Sequence, residues 1–470
     1  MPPSTKPPAK SKSSPKSQPP AKALTLDGHL PSAKERLGVL EAQEHGLHTH
    51  RIHPNVLFIC HRLVENGYIA LIVGGAIRDL MLGRTPKDFD LVTDAKPETV
   101  RALFRNARII GRRFRLAELR FPSMTVEVAT FRSDPQVKTS GMIHRDNRFG
   151  TPQEDAFRRD FTVNALSFDP LNLALFDYVG GMHDLEARMI RTIKTPNESI
   201  QEDPVRMLRA VRFKVRLGFQ MDPVLEGEIR SSVRLLGDVT RNRLAEETQR
   251  FLTRGNAVVM YEEFARLGLI KPLLHMKCGP WFFAPAAQRE PLVALLPYLK
   301  RMDAWLAGGG ETICPTVAQL GLLMTLADEP IREEVLLGEG GEHRRLLALF
   351  SEWGMLNGQV EPALKVLAAA RSLYAEARGA PRESRKGPPP GIREAWLLLA
   401  VLRDSTPVPE PFLTHGLNRL GTLPDLPILD HPRPQNRAPT PEGQELPRDS
   451  REFRGEGGKG PRGPRRRRRR

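Results

Sequence analysis

The feature that most constrains the fold is the apolar run from Tyr68 to Val73, leading through Gly74-Gly75 into a helical pattern from Ala76 to Leu82 that Gly83 closes. An apolar run of this kind, bounded by glycines, predicts a buried strand. The glycine pair supplies a turn in which no Cβ obstructs the backbone. A strand that feeds a helix across two residues commits the chain to α/β packing here, because each element must bury an apolar face against the other. Further signals alternate around this unit. Helices are expected over 55–66 and 96–106, and strands over 87–92 and 125–131. The expected product is a small head of mixed sheet and helices.

At 470 residues the chain exceeds one compact core, so more than one domain is expected. After Glu154 the pattern turns helical, most clearly over 206–217, 243–252 and 258–267, with a last apolar segment at 392–402. The fold class is therefore α+β, a mixed-sheet head followed by an all-helical neck and body. The expected boundaries are 1–50 for a disordered basic arm, 51–185 for the head and 186–275 for a helical neck. A helical body comes next over 276–404, then a disordered Pro-rich and Arg-rich tail over 405–470. No run of about 18 apolar residues occurs, so no integral membrane association is expected. The first 22 residues are Pro, Lys and Ser without an apolar segment, which does not resemble a secretory signal. Cys60, Cys278 and Cys314 are far apart and form no metal or disulfide spacing. A reducing cytoplasmic setting is expected on these grounds.

The net charge of +16 calls for a polyanionic partner, since neutralising phosphates releases condensed counterions. Residues 451–470 hold ten basic and two acidic side chains, half of that excess. Charge alone does not separate RNA from DNA or from an anionic membrane surface.

Chemistry concentrates in the head. Gly74 and Gly75 would let backbone amides approach a phosphate, with Arg78 on the following helix able to face the same anion; taken alone, a plain tight turn is the better explanation of the pair. In Lys87-Asp88-Phe89-Asp90, strand geometry would put both carboxylates on one face. Two such groups suit a divalent cation, and magnesium takes oxygen ligands of this kind together with substrate phosphates. A solvated acidic pair is the simpler alternative. Glu127 is a charged residue within an otherwise half-buried strand and a candidate third carboxylate, though a surface salt bridge would also hold it. Arg158-Arg159-Asp160 through Asn164 combines forked donors suited to a triphosphate with an acid and an amide. Asp203 and Pro204 read as helix N-cap and first turn, with Arg206, Arg209 and Arg212 following every three residues.

In this order the motifs resemble those of the bacterial poly(A) polymerase and tRNA nucleotidyltransferase family, the class II branch of the polymerase-β-like nucleotidyltransferases. The matching stretches are LIVGGAIRD at 71–79, KDFD at 87–90, EVATFR at 127–132, RRDFTVNAL at 158–166, YVGGMHDL at 178–185 and EDPVRMLRAVRF at 202–213. The resemblance implies a template-independent enzyme that adds AMP from ATP to RNA 3′ ends and releases pyrophosphate. The runner-up is CCA addition to tRNA from CTP and ATP. Residues 109–117, residues 141–150 and the arginine-rich C-terminus look like the poly(A) branch, whereas Glu118 stands where that branch usually carries histidine. By resemblance, Asp88 and Asp90 hold Mg2+, Asp160 is a further catalytic acid, and Gly74, Gly75, Arg78, Arg159, Asn164, Asp203, Arg206 and Arg209 bind the nucleotide. RNA 3′ ends, ATP and RNA-decay machinery are the implied partners. No paired His-Asp phosphohydrolase signature marks a second enzyme in the C-terminal half.

Overall fold

The computed structural model describes residues 39–111, 115–133, 149–274, 284–307, 314–328, 335, 350, 357–379 and 390–402. Expectations for the N-terminal arm, Cys278, most of 141–150 and the tail lie outside these residues.

Ten strands are described. In chain order they are β1 Val39–Leu40, β2 Ala70–Val73, β3 Asp90–Thr93, β4 Ala107–Ile110, β5 Leu116–Arg120, β6 Thr125–Thr130, β7 Ser167–Asp169, β8 Ala174–Phe176, β9 Met189–Ile190 and β10 Gln220–Met221. The first eight form one sheet of order β1-β8-β7-β2-β3-β6-β5-β4, and β9 pairs with β10 separately. Within the large sheet β3 and β6 are parallel, and the other paired neighbours are antiparallel. The head's helices are α1 Ala42–His45, α2 Pro54–Glu65, α3 Gly75–Met81, α4 Pro97–Leu103, α5 Pro152–Phe157 and α6 Gly181–Glu186.

Period-two alternation sets the two faces of this sheet. Ile72, Leu91, Val128 and Ala117 join the main core, which also holds Val56 and Ile59 of α2 and Val100 of α4. Their neighbours Val73 and Val92 turn to the other face, where with Leu71 and Phe131 they make only a small satellite cluster. That second face is thinly covered, and the acidic residues lie on it.

The helical part continues with α7 Pro196–Glu202, α8 Val205–Leu217, α9 Pro223–Ser232, α10 Arg241–Leu252, α11 Ala257–Arg266 and α12 Ile270–Leu273. Beyond these come α13 Pro285–Arg289, α14 Pro291–Ala307, α15 Pro315–Leu326, α16 Asn357–Ala377 and α17 Ile392–Val401. Helix α8 shows why the pattern was readable: Val205, Leu208, Val211 and Leu217 are buried at helical spacing, and Gly218 ends the helix with φ 73°. One continuous apolar cluster runs from Leu47 in the head to Leu402 just past α17.

Two differences from expectation bear on the site. The strand expected over 87–92 begins at Asp90. Its partner β2 ends at Val73, which pairs with Asp90, and the chain then turns through Gly74 into α3. Lys87 and Asp88 therefore have no β2 partner, and the pairing of β3 with β6 also begins only at Asp90. The second difference is at Asp203, which follows the last turn of α7, with Pro204 ahead of Val205 in α8. Pro204 already has helical angles of −61° and −20°, whereas Asp203 is extended. Asp203 Oδ1 accepts the Val205 amide at 3.1 Å, so it still caps α8 while closing α7.

Candidate active site

Register brings three carboxylates into one row. Asp90 of β3 pairs with Glu127 of β6, and Glu127 pairs with Glu118 of β5. Burial pushes the Asp90 carboxyl above its ordinary range, Arg159 opposes this, and Asp88 adds to it. Its side chain still opens to solvent, so the surrounding head, rather than enclosure, supplies that desolvation. Glu127 is raised first by burial and then by Asp90, Glu118 and Asp88. Glu118 bonds Arg120. Among the described residues, no lysine or arginine forms an ion pair with Asp88, Asp90 or Glu127. Mutually repelling carboxylates with no such ion pair, whose nearest cations act on them only at a distance, fit a divalent cation. No three metal-ligating side chains among the described residues gather tightly enough to enclose one. Protein would supply part of the shell and substrate phosphate the rest, as magnesium sites usually do.

Arg159 links this row to the glycine turn. A Cβ on Gly74 would stand 3.2 Å from its Nη1 and would also meet the φ of +72° at that position. Arg159 Nη2 donates to Asp155 Oδ2 at 2.9 Å, and Arg158 approaches the other oxygen at 3.3 Å. Asp155, which sequence reasoning missed, is buried in α5. The Thr151–Glu154 capping box starts α5 and fixes where both arginines leave it.

Asp160 is fully engaged. Its Oδ1 accepts from the Phe161 amide at 2.9 Å and from Asn164 at 3.1 Å. Its Oδ2 accepts two bonds from Arg209, at 2.8 and 2.5 Å. Burial alone would raise this carboxyl, but Arg209 and the hydrogen bonds hold it below the usual range. Asn164 in turn accepts from Arg78 at 2.5 Å, and Arg78 also binds Asp79. Arg78 is thus buried, with its guanidinium packed under the glycine turn, where a Cβ on Gly75 would stand 3.4 Å from its Nη2. Phe213 of α8 carries the guanidinium groups of Arg78, Arg209 and Arg212 at 5.2, 5.6 and 5.1 Å from its ring centre.

Arg158, Arg159, Asp160, Asp203, Arg206 and Arg209 line one open cleft of about 430 Å³ between the head motif and the neck helices. Its far wall belongs to α10, whose Arg243, Glu247 and Arg250 the sequence pattern did not single out. Arg243 donates to Asp203 Oδ2 at 2.8 Å. Arg206 is held by Ser199 and Glu202 of α7. Glu247, 3% exposed, lies against Arg212 at 3.0 Å and bonds Arg250. Burial takes the Arg212 guanidinium down to about 10, with Glu247 resisting. A charged stripe on an amphipathic helix reads as a solvated face, so only the fold reveals that this one faces a cleft.

Carboxylates at the start of the central strand β3 and on its neighbour β6, a glycine turn beside an arginine and an arginine-lined cleft define a nucleotidyltransferase-type site. Residues 70–191 match the poly A polymerase head domain, and residues 218–276 match the family described as a probable RNA and SrmB-binding site of polymerase A. Poly(A) polymerase I of Salmonella typhi is 43% identical over 251 residues, 51% of this chain and 54% of that protein. The CCA-adding enzyme of Bacillus pumilus is 36% identical over 194 residues, 41% of this chain and 48% of that one. A crystal structure of the Bacillus stearothermophilus CCA-adding enzyme in complex with CTP matches with a TM-score of 0.50 and 26% identity, covering 80% of this chain and 84% of that one. The chain spans about half the length of the curated relatives it matches. Residues 70–191 and 218–276 are thus similar to the head and the following segment of poly(A) polymerases, and the CCA-adding enzymes share part of that likeness. Such enzymes work with a divalent metal, and no helix among the described residues is long and apolar enough to cross a membrane.

Proposed function

We propose that the chain is a polynucleotide adenylyltransferase that transfers AMP from ATP to RNA 3′-hydroxyl ends, releasing pyrophosphate. The observation that carries this is the pair Asp88 and Asp90, which forms no ion pair with a described residue, set beside Arg159 and the arginine-lined cleft. Identity to poly(A) polymerases exceeds that to CCA-adding enzymes and extends over more residues, which favours ATP alone over CTP with ATP. Mg2+ bound by Asp88 and Asp90 would neutralise charge on the attacking hydroxyl and the triphosphate. Glu127, next to Asp90 in the row, is the third carboxylate beside Asp88 and Asp90. Arg159 offers forked donors to the triphosphate above Gly74 and Gly75. Asp160 is a positioning acid that orients Arg209 and Asn164, and Arg78 braces Asn164 from behind. Asp203 and Arg206 face the base, the first steadied by Arg243. The head spans 51–185, the neck 186–275 and the body 276–404; the protein acts in the cytoplasm on RNA bound for decay.

The test gives the purified protein ATP or CTP with an oligo(A) primer and with tRNA lacking its terminal CCA. Long ATP-dependent products on oligo(A) are expected. Steady CTP incorporation into the truncated tRNA would instead establish CCA addition. Asp88→Ala and Asp90→Ala should each abolish transfer, remove any Mg2+-dependent rise in melting temperature and leave RNA binding within about twofold, because the cation is lost and the fold is not. Loss of RNA affinity in either variant would make the pair structural.

A further inference from the structure

Arg254 stands out among the arginines around the cleft because it has no partner among the described residues. Arg243, Glu247, Arg250 and Arg254 follow one another at intervals of four, three and four residues, the spacing of a single helical stripe. The first three line the cleft. The stripe then passes the end of α10 at Leu252 and reaches Arg254 at the corner before α11, where Gly255 and Asn256 turn the chain with φ of 79° and 61°. The neighbouring arginines are all paired: Arg243 with Asp203, Arg250 with Glu247, Arg209 with Asp160, and Arg216 with Asp79 at 3.9 Å. Arg254 is exposed and forms neither a hydrogen bond nor an ion pair with any described residue.

Its surroundings are specific. The charged groups that act on it are Arg216, Asp88, Arg250 and Glu247. Although its side chain is open to solvent, the surrounding protein and the two arginines hold its guanidinium below the usual range, while Asp88 and Glu247 work the other way. An exposed cation with no ion pair of its own and with like-charged neighbours gains most from an added anion.

We infer that Arg254, with Arg216 beside it, seats the backbone phosphate next to the 3′ end of the RNA being extended. The inference rests on the adenylyltransferase reading above. A nucleoside triphosphate is the other source of phosphate. Arg159 and the cleft already offer that ligand donors, and Arg254 does not line the cleft. It lies within the 218–276 segment that matches a probable RNA-binding family, whereas the Gly74 turn and Arg159 lie within the head. An acceptor phosphate held at the end of the stripe would bring the terminal ribose toward Asp88 from the neck side.

The experiment measures binding of a fluorescent oligo(A) to the full chain without ATP, as a function of salt, for wild type, Arg254→Ala and Arg254→Lys. Steady-state kinetics with varied primer and varied ATP run alongside. Arg254→Ala should weaken oligo binding about tenfold and lower the salt slope by about 0.7, the value for one phosphate contact on a single strand. Arg254→Lys should keep most of the affinity, and the KM for ATP should move less than about twofold in either variant. Melting temperatures should match wild type, because an exposed, unpaired side chain is being removed. Unchanged oligo affinity and slope would overturn the proposal and leave Arg254 as a counter-charge to Asp88. A raised KM for ATP with unchanged oligo affinity would overturn it in favour of a triphosphate seat. If wild type binds the oligo but adds no nucleotide, the adenylyltransferase reading fails, and the binding comparison still decides whether Arg254 holds RNA.

Discussion

Asp160 has no lone pair left for a metal, and this separates it from Asp88 and Asp90. Both of its oxygens are bonded, and Arg209 depends on it for two of its hydrogen bonds. Asp160→Asn should therefore cost stability, about 2–4 kcal/mol in urea unfolding, because Arg209 loses its hydrogen-bonded partner and keeps Glu247 at 4.0 Å and the more distant Asp203 as counter-charges. The same variant should raise the KM for ATP yet retain measurable turnover, unlike Asp88→Ala; complete inactivation with normal stability would show a direct chemical role. Close packing sets a second test at Gly181, where a Cβ would stand 2.4 Å from the Thr162 carbonyl oxygen. Gly181→Ala should destabilise by about 1–3 kcal/mol through overpacking, measured by denaturant unfolding. At this scale the sequence named the acids and arginines but not their directions. Arg78 was readable as a cation beside a glycine turn, but its inward pairing with Asp79 and Asn164 depends on residues 86 positions apart. Glu247 and Arg254 were not readable as site residues, since nothing local distinguishes them from solvated charges.

Elements were legible in proportion to how much of their pattern was local. Strand β2 and helices α8, α10 and α11 follow apolar periodicity and lie within a residue or two of expectation. Strands β4 and β5 were missed because Arg108, Glu118 and Arg120 interrupt the apolar pattern at the sheet's edge, where one face stays wet. The start of β3 was misplaced because its antiparallel partner β2 stops at Val73, and pairing with β6 likewise begins only at Asp90, neither of which local spacing shows. Charge also joins elements in ways spacing does not show. Glu226 of α9 takes both a bond and an ion pair from Arg266 of α11, and Arg230 adds a further contact. Those hydrogen bonds, led by Arg266, draw the Glu226 carboxyl down to about 2. A carboxyl depressed in the folded state contributes stability above its unfolded value of about 4.3, and that contribution is lost as pH falls toward 2. Glu226→Gln should accordingly lower stability by about 0.5–1 kcal/mol at pH 7, after allowance for solvent screening of a pair this exposed. The deficit relative to wild type should shrink between about pH 4.5 and 2. A deficit that stays constant across that range, in denaturant melts at stepped pH, would assign the loss to packing of α9.

For the whole molecule, the charge has two separable parts. The cleft and Arg254 place cations within a fold whose apolar core is continuous from head to last helix. Residues 455–470 carry eight basic side chains and one acidic one, set by sequence alone. Phosphates neutralised at either place release counterions, so each place contributes its own slope to binding against salt. Removing residues 455–470 should lower affinity for a long RNA and flatten its salt dependence while leaving the rate at saturating RNA unchanged. Arg254→Ala should lower the slope by only about 0.7, but on short primers as well, because its phosphate is the one nearest the reacting end. The two losses should add, since sites without shared partners behave independently. Combining the deletion with Arg254→Ala and titrating both a short oligo(A) and a long RNA checks this. A deletion that leaves the long-RNA slope unchanged would show that the tail holds no RNA. A deletion that abolishes the effect of Arg254→Ala would show that both cations serve one continuous track, with the terminal seat merely its last phosphate.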